Sequence, residues 1–328
     1  MSTDTLTLSS WILAVLAVIL AWPAPTLLSR AKWPRRSPAT AMILWQAIGL
    51  AGGLSMISAM LIWGLAPLGP NVISAVMALI DMTTGSGDVS GLSFWHIFAL
   101  SAALLLGAHL LFTLLLTYVR IGRQRRRHRQ LLRLLSSPAA EPGTVVIDHA
   151  APVAYCLPGG ARSVMVLSAG LLDLLQEEEL AAVLSHERSH LNQRHHLLLW
   201  AFAAWKSALP WLPTSKLAQR SVSELIEMLA DDAALQSVSE PTLARSIIMV
   251  ASGAADPRNP GGQQVPETTV PGSIQVATED LERTTAARVE RLINPQPPLP
   301  ALARATILTL SSALLIIAPA ALLIIPAL

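Results

Sequence analysis

Charge is scarce in this chain. Lys, Arg, Asp and Glu make up 13% of its 328 residues, against about 25% in a typical soluble domain. The few charges present avoid four long apolar stretches and gather in the middle. A water-soluble globule throughout is therefore excluded, and the pattern is that of a membrane protein carrying one polar insert. The net charge of +2 is too small to mark a nucleic-acid binder. Cysteine is almost missing. The lone Cys156 rules out an intramolecular disulfide and a cysteine-rich zinc site, and it suits a reducing compartment. There is no internal repeat.

Crossing the hydrocarbon core takes about 20 mostly apolar residues. The stretches that qualify are 8–28, 39–65, 94–119 and about 302–327. The first has no basic region before it and no small-residue cleavage site after it, so it reads as a retained span. Orientation follows from lysine and arginine in the short flanks. The loop after span one holds Arg30, Lys32, Arg35 and Arg36, the loop after span two holds only Asp81 and Asp88, and span three runs into Arg120, Arg123, Arg125, Arg126, Arg127, Arg129 and Arg133. These agree on outer N- and C-termini, a cytosolic polar insert, and a multi-pass protein of the plasma membrane. The arginine run is expected to face anionic headgroups, with no direct nucleic-acid partner, and its helical pattern suggests that span three continues beyond the bilayer.

The expected architecture is a mainly α membrane protein. Residues 1–119 hold three spans, 120–300 an α+β domain, and 301–328 a fourth span. Within the insert, Pro138 to Gly143 reads as a turn. Thr144–Ile147, Val153–Leu157 and Ser163–Leu167 read as short strands, the last two separated by a Pro158-Gly159-Gly160 turn. Ser168 is a plausible cap for a helix over 169–175. A longer helix starts near Gln176, with Glu177, Glu178 and Glu179 at its positive end. Asp256 to Pro271 reads as a loop, and Asp280 to Ile293 as a helix.

The chemistry sits in that longer helix. His186-Glu187-Arg188-Ser189-His190 is an HExxH pentapeptide. Residues four apart on a helix lie about 40° apart around its axis, so both imidazoles leave one face and can share Zn²⁺. Glu187 is placed to act as a base on a metal-bound water without ligating. Two surface histidines on a solvated helix would give the same pentapeptide, so a third ligand is needed. Glu227, four residues before Asp231 on a later helix, is a candidate, and Asp231 can then hold a ligand imidazole in one tautomer. The rival third ligand, His196, stands at metzincin spacing, but Gln193 replaces the glycine that pattern needs. His195 and His196 are expected to be exposed, and His96 and His109 to pack within span three. Leu197–Leu212 is apolar but short, and contains Lys206. Were it to cross, His190 and Glu227 would face opposite sides of the membrane, so it reads as a core or interfacial helix.

Several segments resemble two related metallopeptidase families. They are Ala154-Tyr155, Leu167 to Leu172, Glu179 to Glu187 and the Glu-x-x-Ala-Asp run from Glu227 to Asp231. One family is the M48 group of heat-shock membrane proteases. The other is the M56 group, the proteases of β-lactam sensor-transducers, whose segment before the last span is similar to Arg288-Val289-Glu290-Arg291-Leu292. Three spans, a zinc domain and a fourth span is the M56 layout, without the extracellular sensor domain. The resemblance implies a gluzincin-like zinc peptidase with His186, His190 and Glu227 as ligands, Glu187 as base and Asp231 behind the ligands. It further implies a strand edge near Val153–Leu157 that pairs with an extended protein or peptide substrate, and a cytosolic repressor as a possible partner. A non-proteolytic zinc transducer and an M48-type quality-control protease remain open as alternatives.

Overall fold

Long apolar runs suited to lipid form helices, because a helix satisfies its own backbone. The computed structural model describes residues 2–84, 92–139, 142–159, 163–254 and 278–323. Helix α1 (Ser2–Ala21) ends at Trp22, and Pro23 opens α2 (Pro23–Arg30), so the first apolar stretch is broken once. A 3₁₀ turn over Trp33–Arg36 leads to α3 (Pro38–Leu65), which starts with proline in its first turn. The following loop contains a helix that the sequence reading did not anticipate, α4 (Val72–Thr83), held by a reciprocal cap between Asn71 and Ser74.

Helix α5 (Phe94–Leu135) runs unbroken for 42 residues, extending 16 residues past the expected end of span three at Val119. Among the described residues, Thr5–Arg30, Pro38–Leu68 and Phe94–Leu135 are long and apolar enough to cross a membrane. Leu104, Leu105, Leu111 and Phe112 of α5 point outward and exposed. Exposing a row of such side chains to water is costly, and lipid removes that cost.

Past α5 the chain forms a four-stranded sheet: β1 (Ser136–Pro138), β2 (Thr144–Ile147), β3 (Ala154–Leu157) and β4 (Val164–Ser168). The order is β1-β2-β4-β3, with β2 parallel to β4 and the outer pairs antiparallel. Pro138, expected to open a turn, instead closes β1 and pairs with Val145 at the sheet edge, where a missing N–H is tolerated. Alternation sorts the side chains. Tyr155, Leu157 and Val166 pack on Leu132 of α5, while Cys156, Met165 and Leu167 pack on the other face.

That second face is covered by α6 (Ala169–Leu174) and α7 (Glu177–Asn192). The fully buried Ser168 caps α6 by accepting from Leu171 N–H at 3.1 Å and ties the strands by donating to the Ala151 carbonyl at 2.7 Å. Gln176 and Glu179 form a capping box on α7. Then come α8 (His195–Ala208), α9 (Pro213–Ala234), α10 (Glu240–Ala254), α11 (Thr278–Ile293) and α12 (Ala301–Leu323). The expected loop at Asp256–Pro271 and the last residues of the expected fourth span lie outside the described residues.

Helices α8 and α9 pack on the apolar helices as part of one core. Phe202 of α8 and Val222 and Ile226 of α9 share a cluster with Trp45 and Ile48 of α3 and Leu314 of α12. His109 of α5 meets the Ala208 carbonyl at 3.1 Å, and Tyr118 stacks on Trp200. Thr214, at the start of α9, donates to the Leu20 and Ala21 carbonyls that the break after α1 leaves without helical partners. His96 caps the start of α5 through Ser93. Both span-three histidines are therefore structural.

Two expected outcomes follow from the sheet and its cover. A Cβ on Gly170 would stand 1.9 Å from the Ala150 carbonyl oxygen, a backbone atom that cannot rotate away. Gly170→Ala should cost about 1–3 kcal/mol, seen as a lowered thermal midpoint of the detergent-solubilised chain. Burial pushes the Cys156 thiol up to about 12, so it stays protonated at neutral pH. Maleimide labelling at pH 7.5 should be slow in the folded protein and fast in denaturant.

Candidate metal centre

The site is assembled where α7, α9 and α11 meet. Helical spacing puts His186 and His190 on one face of α7, with their rings 4.9 Å apart. Their Nε2 atoms stand 3.2 Å apart, two nitrogens of which at most one can supply a hydrogen for a bond between them. Glu227 approaches from α9, with Oε2 3.3 Å from His186 Nε2 and Oε1 3.7 Å from His190 Nε2. A tetrahedral ion with bonds of about 2.0–2.1 Å keeps its ligand atoms about 3.3 Å apart. The three separations bracket that value, so the donor set fits zinc.

Glu187 is half-buried beside the pair. His186, Glu187 and His190 each bring a ligand-capable atom within 4.8 Å of the others. Burial and the nearby Glu227 push the Glu187 carboxyl up to about 7, against the downward pull of His186, Arg288 and the Cys156 N–H that it accepts. Such a group holds and releases a proton near neutrality. Because Cys156 N–H points to Glu187, the side of β3 turned away from β4 faces the cluster.

Asp231 is 1% exposed. Its Oδ1 lies 2.9 Å from His186 Nδ1, so Nδ1–H donates to this carboxylate while Nε2 faces Glu227. The same carboxylate accepts two bonds from Arg288 of α11, Nε at 2.8 Å and Nη2 at 2.7 Å. Nη1 of Arg288 reaches Glu227 Oε2 at 3.1 Å. Burial and Arg288 work to lower His186, but its bonds with Asp231 and Glu227 prevail and hold it up at about 9. Burial works to raise Glu227, and the His186 bond, His190 and Arg288 overcome it and keep the group well below the usual carboxylate range. Burial holds His190 down at about 4.

Two residues enter that sequence reasoning did not assign to the site. Arg288 stood out in the sequence only through a family-like segment, and nothing in its spacing points back 57 residues to Asp231. His195 was expected to be exposed, yet it is 2% exposed, with Nδ1 3.0 Å from His190 Nδ1 and Nε2 3.0 Å from Gln193 Oε1. The cause is Arg194. Its φ of 52° is the one positive value at a non-glycine among the described residues, a conformation that costs about 1–3 kcal/mol. This kink separates α7 from α8 and sets His195 against His190. His196 does not join the cluster, and its Nδ1 is buried without a hydrogen-bond partner.

A comparison with curated proteins finds no match to the chain. Residues 122–251 match the model of peptidase family M48. The matched stretch runs from within α5 to within α10 and contains His186, Glu187, His190, Glu227 and Asp231, but not Arg288. This match and the His186–Glu187–His190 cluster support a zinc metallopeptidase of the M48 kind in this part of a chain whose apolar helices suggest a membrane protein.

Proposed function

We propose that this chain is a membrane-embedded zinc endopeptidase that hydrolyses peptide bonds of a protein close to the membrane surface. His186, His190 and Glu227 are the ligands, Glu187 is the base, and Asp231 holds His186 in its ligand tautomer. The observation that carries this reading is the spacing of 3.2, 3.3 and 3.7 Å among the two imidazole nitrogens and the two carboxylate oxygens of three residues drawn from two helices. Zinc, when bound, supplies a polarised carbonyl and a water of lowered pKa. Glu187 would hold the proton released there and pass it to the leaving amine, a task suited to a carboxyl raised to about 7. The outward side of β3, facing Glu187, suits an extended substrate segment added to the sheet edge.

The membrane-proximal substrate follows from α9. Glu227 stands 14 residues along α9 from Pro213, about 21 Å at helical rise, and Thr214 beside Pro213 is bonded to the end of α1. Glu224, one turn before Glu227, pairs with Arg35 of the basic segment at 2.9 Å. The centre is thus held close to the level of the basic flanks. On this reading the chain has four spans, outer termini and a zinc domain in the cytosol, at the plasma membrane. The arginine and lysine asymmetry of the loops supports that arrangement, and the lipid bilayer is its constant partner. A signalling protease of the M56 type, with a cytosolic repressor as substrate, is supported by the layout of helices around the domain. The match to family M48 favours a second reading, a membrane quality-control protease.

Glu187→Gln should abolish cleavage of substrate proteins captured from membranes and leave zinc content near one per chain. Cleavage that survives rules out the mechanism, and a variant that signals normally without cleavage marks a non-proteolytic transducer instead. Arg288→Leu leaves the buried Asp231 carboxylate without its main partner and should cost about 3–5 kcal/mol, read as a fall in thermal midpoint of the metal-free chain. Arg288→Lys should recover only part, because an ammonium cannot make the two-pronged contact.

A further inference from the structure

We infer that His195 is a positioning residue for the zinc ligand His190, the middle of a proton-ordered chain that runs from the metal site through His190 and His195 to Gln193. The inference rests on the zinc reading of the cluster. His190 turns Nε2 toward His186 and Glu227. To bind an ion there, the neutral ring must carry its proton on Nδ1. The atom waiting 3.0 Å from that Nδ1 is His195 Nδ1, so His195 must accept at Nδ1 and carry its own proton on Nε2. That proton meets Gln193 Oε1 at 3.0 Å. Each ring therefore has one permitted tautomer when the amide oxygen faces His195. Reversing the chain would place a proton on His190 Nε2 and block the metal position.

The two zinc-site histidines are thus oriented by different chemistry. His186 is fixed by a carboxylate, Asp231, at 2.9 Å. Among the described residues no carboxylate stands behind His190, which relies on a second imidazole whose direction is set by an amide on the protein surface. The device exists because Arg194 adopts a left-handed conformation, which places His195 at the first turn of α8 over the last turn of α7. Gln193 is exposed, so the far end of the chain can be altered without disturbing the core.

The test is zinc affinity of the full-length, detergent-solubilised protein, measured by competition with a chromophoric chelator. His195→Leu should weaken zinc binding about 10–100-fold. His195→Asn, whose amide oxygen can accept from His190 Nδ1–H, should restore most of it. At the exposed end the two charged substitutions should act in opposite directions. Gln193→Glu accepts from His195 and tightens binding, whereas Gln193→Lys can only donate, forces the reverse tautomer and weakens it. Both effects should vanish in a His195→Asn background, where the shorter side chain ends short of residue 193. A bare charge effect would persist in that background. Equal affinities for both Gln193 variants, or a difference that survives His195→Asn, overturn the inference even if His195→Leu does not fold. Wild-type protein without zinc, or undiminished binding in Glu227→Ala, overturns the reading of the cluster itself.

Discussion

Asp231 is a carboxylate with almost no access to water, and three helices depend on how it is satisfied. It accepts from His186 on α7 and twice from Arg288 on α11 while standing on α9. A buried charge without such partners is strongly destabilising, so the three helices cannot separate without exposing that deficit. The same contacts orient the metal cluster. Holding His186 in one tautomer and pulling Glu227 toward the imidazoles are consequences of satisfying one buried acid. Stability and site geometry are therefore not separable here, and the helix that supplies Arg288 matters to the centre although it lies beyond the stretch matched to family M48.

Much of this was legible in the sequence because it is periodic or local. The apolar runs predicted α1, α3 and α5, alternation and turn residues predicted β2, β3 and β4 to within a residue, Ser168 is the cap it was expected to be, and α7 starts beside Gln176 as expected. The HExxH pentapeptide carries its own geometry, since four residues on a helix fix the face. Glu227 and Asp231 were legible by the same spacing rule on a second helix. What escaped is long-range or strained. Helix α4 is short and sits between candidate spans, and β1 is a three-residue edge that contains proline. The burial of His195 depends on a left-handed Arg194, a conformation that arginine does not advertise. Arg288 depends on a contact between residues 57 apart, which neither composition nor periodicity encodes.

The domain and the membrane helices are not two bodies joined by linkers. Trp45 and Ile48 of α3, Phe202 of α8, Val222 of α9 and Leu314 of α12 lie in one cluster, and Thr214 completes the hydrogen bonding of the chain at the break after α1. The Glu227 helix is thus anchored among apolar helices at one end and lined up with the basic segment by Glu224 and Arg35 further along. Arg291 adds a second tie, donating to the Arg35 carbonyl at 2.9 Å and pairing with Asp232 at 2.7 Å.

The uninterrupted α5 gives this arrangement a mechanical property. Its 42 residues make a rod about 63 Å long at 1.5 Å rise per residue. One end is apolar and outward-facing, and the other carries His128, bonded at 2.7 Å to the hydroxyl of Tyr155 on β3, and Arg129, which holds the carbonyl of Pro158 at 2.8 Å. No proline or glycine pair offers a joint between them. Tyr155 lies on the strand whose Cys156 N–H holds Glu187, so one continuous helix joins the outward apolar face to the strand beside the histidine cluster.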